Sequence, residues 1–276
     1  MKLIADIGTN VYRYDGTRIL LHHFLKHYHE IGITEFILHG NTELIEQLES
    51  KEDFGAFKIK FIKISKEQFL HYKERDREQY RTLSKEKKLH LYHQQPASGL
   101  ICPLWIIQND LKKKYLNDDE LCIIVDLDEF VDIKRERLKI VEDQSPDFCS
   151  GLMVDRFFKN GEINNLQIEK DIFEQMTEKA SLIKHARRAV GKIWLTKGYL
   201  EHGFGHHCLY EKSRAGLKKG LRGVNIWHMK YFKQNLEGRL GVHSKEVKFI
   251  KDGKIVSSAW EKMILVKDKL QYKDWN

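Results

Sequence analysis

The chain has no apolar run approaching the roughly 20 residues of a membrane-spanning helix, so a helical membrane protein is not expected. Its opening apolar stretch is broken at Asp6, too early for a secretory signal, and a cytoplasmic location is expected. Cysteine is sparse: Cys102, Cys122, Cys149 and Cys208 are far apart, form no CxxC pair and read as reduced core residues. There is no GxGxxG and no Walker sequence, which removes the two commonest phosphate-loop signatures. No internal repeat, low-complexity tract or clear linker interrupts the chain.

What is present is a globular composition with an excess of basic groups. The 276 residues carry 48 Lys and Arg against 40 Asp and Glu, a net charge of +8. Such a surface favours anionic partners: nucleic acid, acidic lipid or the phosphates of a nucleotide. The length suffices for a sizeable core. One domain is expected, with a nucleotide-binding half over residues 1–145 and an acceptor half over 146–276.

Hydrophobic periodicity gives an alternating pattern, the mark of an α/β sheet with parallel strands. Residues 2–7 read as a strand ending in the turn Gly8-Thr9-Asn10. Leu20, Leu21, Phe24, Leu25, Tyr28 and Ile31 recur at helical spacing, between start signals at residues 15–17 and a stop at Gly32. A strand over 34–38, a short helix over 43–48 and a strand over 57–64 follow. Residues 66–90, charged in both signs, read as a solvated helix or helical pair, and 104–115 as a more apolar helix. Beyond residue 130 the pattern predicts strands at 151–158 and 192–196, helices at 168–180 and 259–270, and a mobile basic loop at 211–223.

Between the halves lies Leu121–Phe130, an apolar run that ends in Asp126, Asp128 and Glu129. An apolar run of this length is a strand buried on both faces, and the carboxyl ends of such strands are where open α/β sheets bind ligands. On an extended strand Asp126 and Asp128 share a side. Hard oxygen ligands there suit Mg²⁺ or Mn²⁺, with open positions for substrate phosphates. The structural alternative is a strand end whose acids cap a helix or pair with Lys and Arg.

The string Asp126-Leu127-Asp128-Glu129-Phe130 resembles the DxDEF signature of GT-A nucleotide-sugar glycosyltransferases, particularly the family 2-like group. The helix pattern from Leu21 to Phe36, Gln108 before the acidic strand, and the His-aromatic segments around His206-His207 and Trp227-His228 are similar to that group as well. The Arg-Asn-Glu usual after the first strand is absent, with residues 6–13 in its place. The resemblance implies a Rossmann-like GT-A fold, a mixed and mainly parallel sheet flanked by helices. It implies a metal-dependent transferase moving a sugar from a nucleotide donor, a uridine diphosphate sugar by family likeness, to a glycan or lipid-linked acceptor hydroxyl. Apart from the resemblance, the basic loop and the basic terminal helix give peripheral contact with acidic membrane as a further expectation.

Candidate metal ligands are Asp126, Asp128, His228 and His207, with His206 behind them. His228 leads, set between the aromatics Trp227 and Tyr231. Candidates on the nucleotide side are Asp6, Thr9, Asn10, Arg13, Asp126 and Lys192. For the general base Asp155 comes first, then Glu174, with Glu162 and Asp171 behind; the competing role for Asp155 is an ion pair with Arg156 or another neighbour. Lys184, Arg187 and Arg188 read as the solvated face of a helix, whereas Lys212, Arg214, Lys218, Lys219 and Arg222 could fold over a diphosphate. His22, His23, His27 and His29 lack an HExxH pattern and read as boundary residues of the first helix rather than zinc ligands. Two other functions remain open: a haloacid dehalogenase-type phosphohydrolase, in which the first Asp of DxD is the nucleophile, and a basic nucleic-acid-binding module. The first normally carries its motif nearer the N-terminus, and the second lacks interleaved aromatics and basic residues, so no nucleic acid is expected.

Overall fold

Apolar residues alternate along the first strands so that each side of the sheet meets a different helix layer. The computed structural model describes residues 1–9, 14–82, 84, 103–158, 166–184, 188–189, 191–203, 209, 216–221, 224–229, 248–251, 254–256, 263–266 and 269–272. The opening half runs β1 (Lys2–Asp6), α1 (Tyr14–Glu30), β2 (Glu35–Asn41), α2 (Thr42–Lys51), β3 (Lys58–Ile64), α3 (Lys66–Arg81), α4 (Leu104–Tyr115) and β4 (Leu121–Asp126). These four strands are parallel, in the order β4-β1-β2-β3. Leu3, Ala5, Ile123 and Val125 pack on one face with Leu20, Leu21, Phe24, Leu25 and Tyr28 of α1. Ile4, Cys122 and Ile124 pack on the other with Leu104, Ile107 and Leu111 of α4. Each such apolar side chain removed from water contributes about 1.5–3 kcal/mol, which is why β4 reads as an unbroken hydrophobic run.

Helix α1 stops where the sequence places its glycine. Gly32 has a φ of 105°, its N–H donates to His29 O at 2.9 Å, and Ile33 N–H donates to Tyr28 O at 2.9 Å. This pair of bonds is a Schellman closure, which needs the left-handed conformation that glycine adopts without a Cβ penalty.

The second half adds β5 (Glu129–Val131), α5 (Arg135–Gln144), β6 (Phe148–Phe157), α6 (Ile172–Gln175), β7 (Glu178–Lys184), β8 (Arg188–Ala189), β9 (Gly191–Lys197), β10 (Val224–Met229), β11 (Lys248–Lys251), β12 (Lys254–Val256), β13 (Met263–Val266) and β14 (Lys269–Tyr272). Strand β9 joins β4 to β6 through antiparallel pairs on both sides, and β7, β11 and β12 extend the sheet. Strand β10 lies parallel to β6 and antiparallel to β5. Gly151 permits that seat, because a Cβ there would stand 2.6 Å from the Val224 carbonyl oxygen. The expected α/β architecture, a mixed sheet flanked by helices, is the one observed. No helix among the described residues is long and apolar enough to cross a membrane.

Four expectations are corrected. The helix expected over 168–180 is confined to the four residues of α6, and residues 178–184 instead form β7 paired with β6. Lys184 and Arg188 therefore belong to strands β7 and β8, not to a helix face; Arg187 lies outside the described residues. The helix expected over 259–270 is replaced by the antiparallel pair β13 and β14; Met263–Val266 is a short apolar run with two β-branched residues, and the alternation of Lys269–Tyr272 has period 2. The diphosphate lid is also overturned for Lys218 and Lys219. Lys218 N–H donates to Asp147 Oδ2 at 2.6 Å, its ammonium bonds Gln144 O, and Lys219 bridges Phe148. Phe148 pairs with Thr196, which in turn pairs with Cys122, so this segment sits at the amino end of β4, opposite Asp126. Lys212, Arg214 and Arg222 lie outside the described residues.

Helix α4 contributes a buried cation away from the acidic strand end. Lys112 is 1% exposed and donates to Thr196 Oγ1 at 3.1 Å and to Leu200 O. Burial pushes its pKa down from 10.5 to about 8. Between those values the unfolded chain holds a proton that the folded chain lacks, so the penalty is full below pH 8 and is relieved as the pH rises toward 10.5. Urea unfolding of wild type should therefore show added stability across that window, up to about 3 kcal/mol, relative to Lys112→Met. Parallel pH profiles for the two proteins would contradict it.

Candidate active site

The parallel pairing sets three polar residues side by side at the carboxyl edge. Asp6 lies opposite His39 on β2 and opposite Asp126 on β4. Asp6 Oδ1 accepts Thr9 N–H at 3.0 Å and the Thr9 hydroxyl, and stands 3.5 Å from Nδ1 of the fully buried His39. His39 is the site residue that sequence reasoning missed. Its signal was available, since it follows the apolar run Phe36–Leu38 within β2 much as Asp126 follows its own run.

Strand β4 ends at Asp126, and residues 127–128 turn before β5. Alternation therefore stops, and the expectation that Asp126 and Asp128 share one side of a continuing strand is corrected: they meet different partners. The Glu129 side chain folds back over the turn, accepting Asp126 N–H at 2.8 Å and the Lys192 ammonium. Lys192 Nζ is also 3.4 Å from Asp126 Oδ2. Burial alone would depress this lysine, but the charges of Asp126 and Glu129 outweigh it and hold the pKa above the ordinary value. The turn is tied to α1 as well, because the Tyr28 hydroxyl donates to Glu129 O at 2.8 Å and accepts Val131 N–H at 3.2 Å.

Asp128 meets the second half of the chain. Its Oδ2 is 3.0 Å from His228 Nε2, and His228 Nδ1 is 3.1 Å from Asp155 Oδ1. The backbone fixes this line: His228 on β10 is in register with Asp155 on β6 and with Glu129 on β5, and Met229 N–H donates to Asp128 O at 2.7 Å. Alternation sends Trp227 and Arg156 the other way, where the guanidinium lies 5.2 Å from the Trp227 ring and donates to Met176 O and Phe173 O. Of the neighbours weighed from sequence as ion-pair partners for Asp155, Arg156 is therefore not the one, and the contact is made with His228 instead. Asp155 is 1% exposed and faces the imidazole.

Other candidates fall elsewhere. Glu174 is exposed on α6, its N–H donating to Asp171 Oδ1, and among the described contacts it does not reach the Asp128–His228–Asp155 line. Asn10, Arg13, His206, His207, Glu162 and Tyr231 lie outside the described residues. The α1 histidines serve separate contacts: His22 with Glu52, His23 with Gln167 O and His27 with Val131 O. Among the described residues no group of three or more His, Cys, Asp or Glu side chains converges as a preformed metal cage. Asp128 and His228, in contact at hydrogen-bond distance, are the two side chains that could hold an ion. Neighbouring ligands about 2.1 Å from an octahedral ion are about 3 Å apart, and the 3.0 Å between Asp128 Oδ2 and His228 Nε2 matches that bite.

No protein-family model matches the chain, and no curated protein matches it. Distant likenesses exist among solved structures. HddC from Yersinia pseudotuberculosis is 11% identical over 87% of this chain and 97% of its own, with a TM-score of 0.39. The 4-diphosphocytidyl-2C-methyl-D-erythritol synthase of Anaerococcus prevotii DSM 20548 is 12% identical over 71% of this chain and 69% of its own, at a TM-score of 0.32. The inositol-1-phosphate CTP transferase of T. maritima is 11% identical over 87% of this chain and 97% of its own, at 0.35. Scores of this size carry no argument about the site, whose reading rests on its own geometry.

The Tyr28 hydroxyl offers a direct check on how the acidic turn is held. Tyr28→Phe should cost about 1–3 kcal/mol in urea unfolding, because the partners Glu129 O and Val131 N–H are both buried. A cost near zero would show that the turn does not depend on α1.

Proposed function

We propose that the protein transfers a sugar from a nucleoside diphosphate sugar to an acceptor hydroxyl at the carboxyl edge of the sheet, with Mn²⁺ or Mg²⁺ held by Asp128 and His228. The observation that carries this reading is the line Asp128–His228–Asp155, set beside Asp126 at the end of the β4 strand. Its support from sequence is the DxDEF resemblance, which also favours a uridine diphosphate sugar and a glycan or lipid-linked acceptor. Electrostatics point the same way. Among the described residues this edge brings together the carboxylates of Asp6, Asp126, Asp128, Glu129 and Asp155 with one ammonium, that of Lys192, in a chain whose overall charge is +8. Such an excess of carboxylates favours a bound cation and with it a phosphate.

In this reading a bound divalent ion would draw the charge that develops on the departing diphosphate. The chain's own residues prepare for it. Asp155 accepts from His228 Nδ1 and so leaves Nε2 turned toward Asp128, the arrangement by which a carboxylate fixes the tautomer and orientation of a ligating histidine. Asp155 is thus assigned to orienting the imidazole, not to deprotonating the acceptor, from which its burial separates it. Asp126, with 24% of its side chain exposed, would contact the ribose or the ion through water. Asp6, Thr9 and His39, in mutual contact, would form the nucleoside side of the edge.

Two measurements test the proposal. A panel of nucleoside diphosphates with and without Mn²⁺ should raise the melting temperature of wild type only when both are present, by a few degrees at a ligand concentration about 100 times Kd. Asp128→Ala should lose that shift while remaining folded; an unchanged shift in Asp128→Ala, or one indifferent to a chelator, would sink the reading. Asp155→Asn should weaken Mn²⁺ binding by about 10–100-fold with Asp128 and His228 intact, and wild-type affinity would remove Asp155 from the site.

A further inference from the structure

Lys192 is not needed to hold a metal at Asp128 and His228, yet it is buried against the same turn. The residue is 1% exposed, its ammonium bonded to Glu129 Oε2 and 3.4 Å from Asp126 Oδ2. The same Glu129 oxygen accepts Asp126 N–H at 2.8 Å, so one cation and one backbone donor close the turn from inside. Glu129 is 1% exposed, whereas 24% of the Asp126 side chain reaches solvent, so the ammonium occupies the inner end of the acidic edge. A cation between two carboxylates is what a divalent ion would otherwise supply, and sites for phosphate chemistry often carry a pair of such ions. An ammonium differs in one respect: it neutralises carboxylates as a point charge but offers no coordination position to a phosphate or a water.

We propose that Lys192 is a built-in cation that fills the Asp126–Glu129 end of the turn and thereby restricts the site to a single exchangeable divalent ion, the one at Asp128 and His228. The inference deepens the metal reading above and rests on it for the ion at Asp128. Lys192 makes this a specificity-setting position: the donor diphosphate meets one replaceable ion beside a fixed, substitution-inert charge. Its partner Glu129 is a positioning residue, acting through Lys192 and the Asp126 backbone.

The test counts Mn²⁺ bound per full-length chain by equilibrium dialysis. Lys192→Met is expected to bind one more Mn²⁺ than wild type, and Lys192→Arg the same number as wild type. The added ion should persist in Lys192→Met with Asp128→Ala and disappear in Lys192→Met with Glu129→Gln. Because Lys192→Met leaves two carboxylates without their cation, its melting temperature is read in chelator and again in Mn²⁺. Recovery by Mn²⁺ supports a cation role, which a purely packing role would not produce. An unchanged ion count in folded Lys192→Met, or no recovery of a destabilised one by Mn²⁺, overturns the inference. Failure of the metal reading registers separately: wild type would bind no Mn²⁺, while Lys192→Met would still gain one ion.

Discussion

The ammonium of Lys192, buried between Glu129 and Asp126, is the interaction on which the acidic edge depends. Removing one partner of a buried ion pair costs roughly 3–5 kcal/mol, more than any surface contact around it. Glu129 cannot leave without freeing the Asp126 N–H, and its own carbonyl holds the Tyr28 hydroxyl. Strand β9 from the second half, helix α1 from the first, and the turn after β4 therefore meet at one residue. Because β5 begins at Glu129 and pairs with β10, the same point fixes where His228 arrives.

Register does the rest. Parallel pairing of β1 with β2 and β4 puts Asp6, His39 and Asp126 in one row, and parallel pairing of β10 with β6 puts His228 beside Asp155. The two-residue period of a strand then sorts neighbours that are adjacent in sequence. Asp155 and His228 face the acidic edge, while Arg156 and Trp227 turn away and stack on each other beside Phe173. Arg156 is thus kept off the line of Asp128, His228 and Asp155.

Much of this was legible in the residues because burial writes itself into composition. The β4 run could only be a strand covered on both faces, and the stripe on α1 ended at a glycine whose φ of 105° the closure requires. Helix α4 follows the apolar stretch over 104–115 that sequence alone marks out. What was illegible depends on pairing. Whether Asp155 pairs with Arg156 or with His228 is decided by a strand some 70 residues downstream, and Glu129 looks like one more acid until Lys192 is brought beside it. The second half was also read too readily as helix. Residues 178–184 and 263–272 have apolar spacing that suits either period, and strand partners decide the outcome. His39 went unread although it follows the apolar run Phe36–Leu38, because its place beside Asp6 is set by strand pairing.

The most direct test of the account is histidine NMR during a Mn²⁺ titration in the presence of a nucleoside diphosphate. The imidazole signals of His228 are expected to broaden beyond detection at substoichiometric Mn²⁺, while those of His22, paired with Glu52, and of His71 on α3 persist. If the His228 signals survive the titration, or vanish no sooner than those of His22 and His71, the carboxyl edge of this sheet is not where the metal and its nucleotide bind.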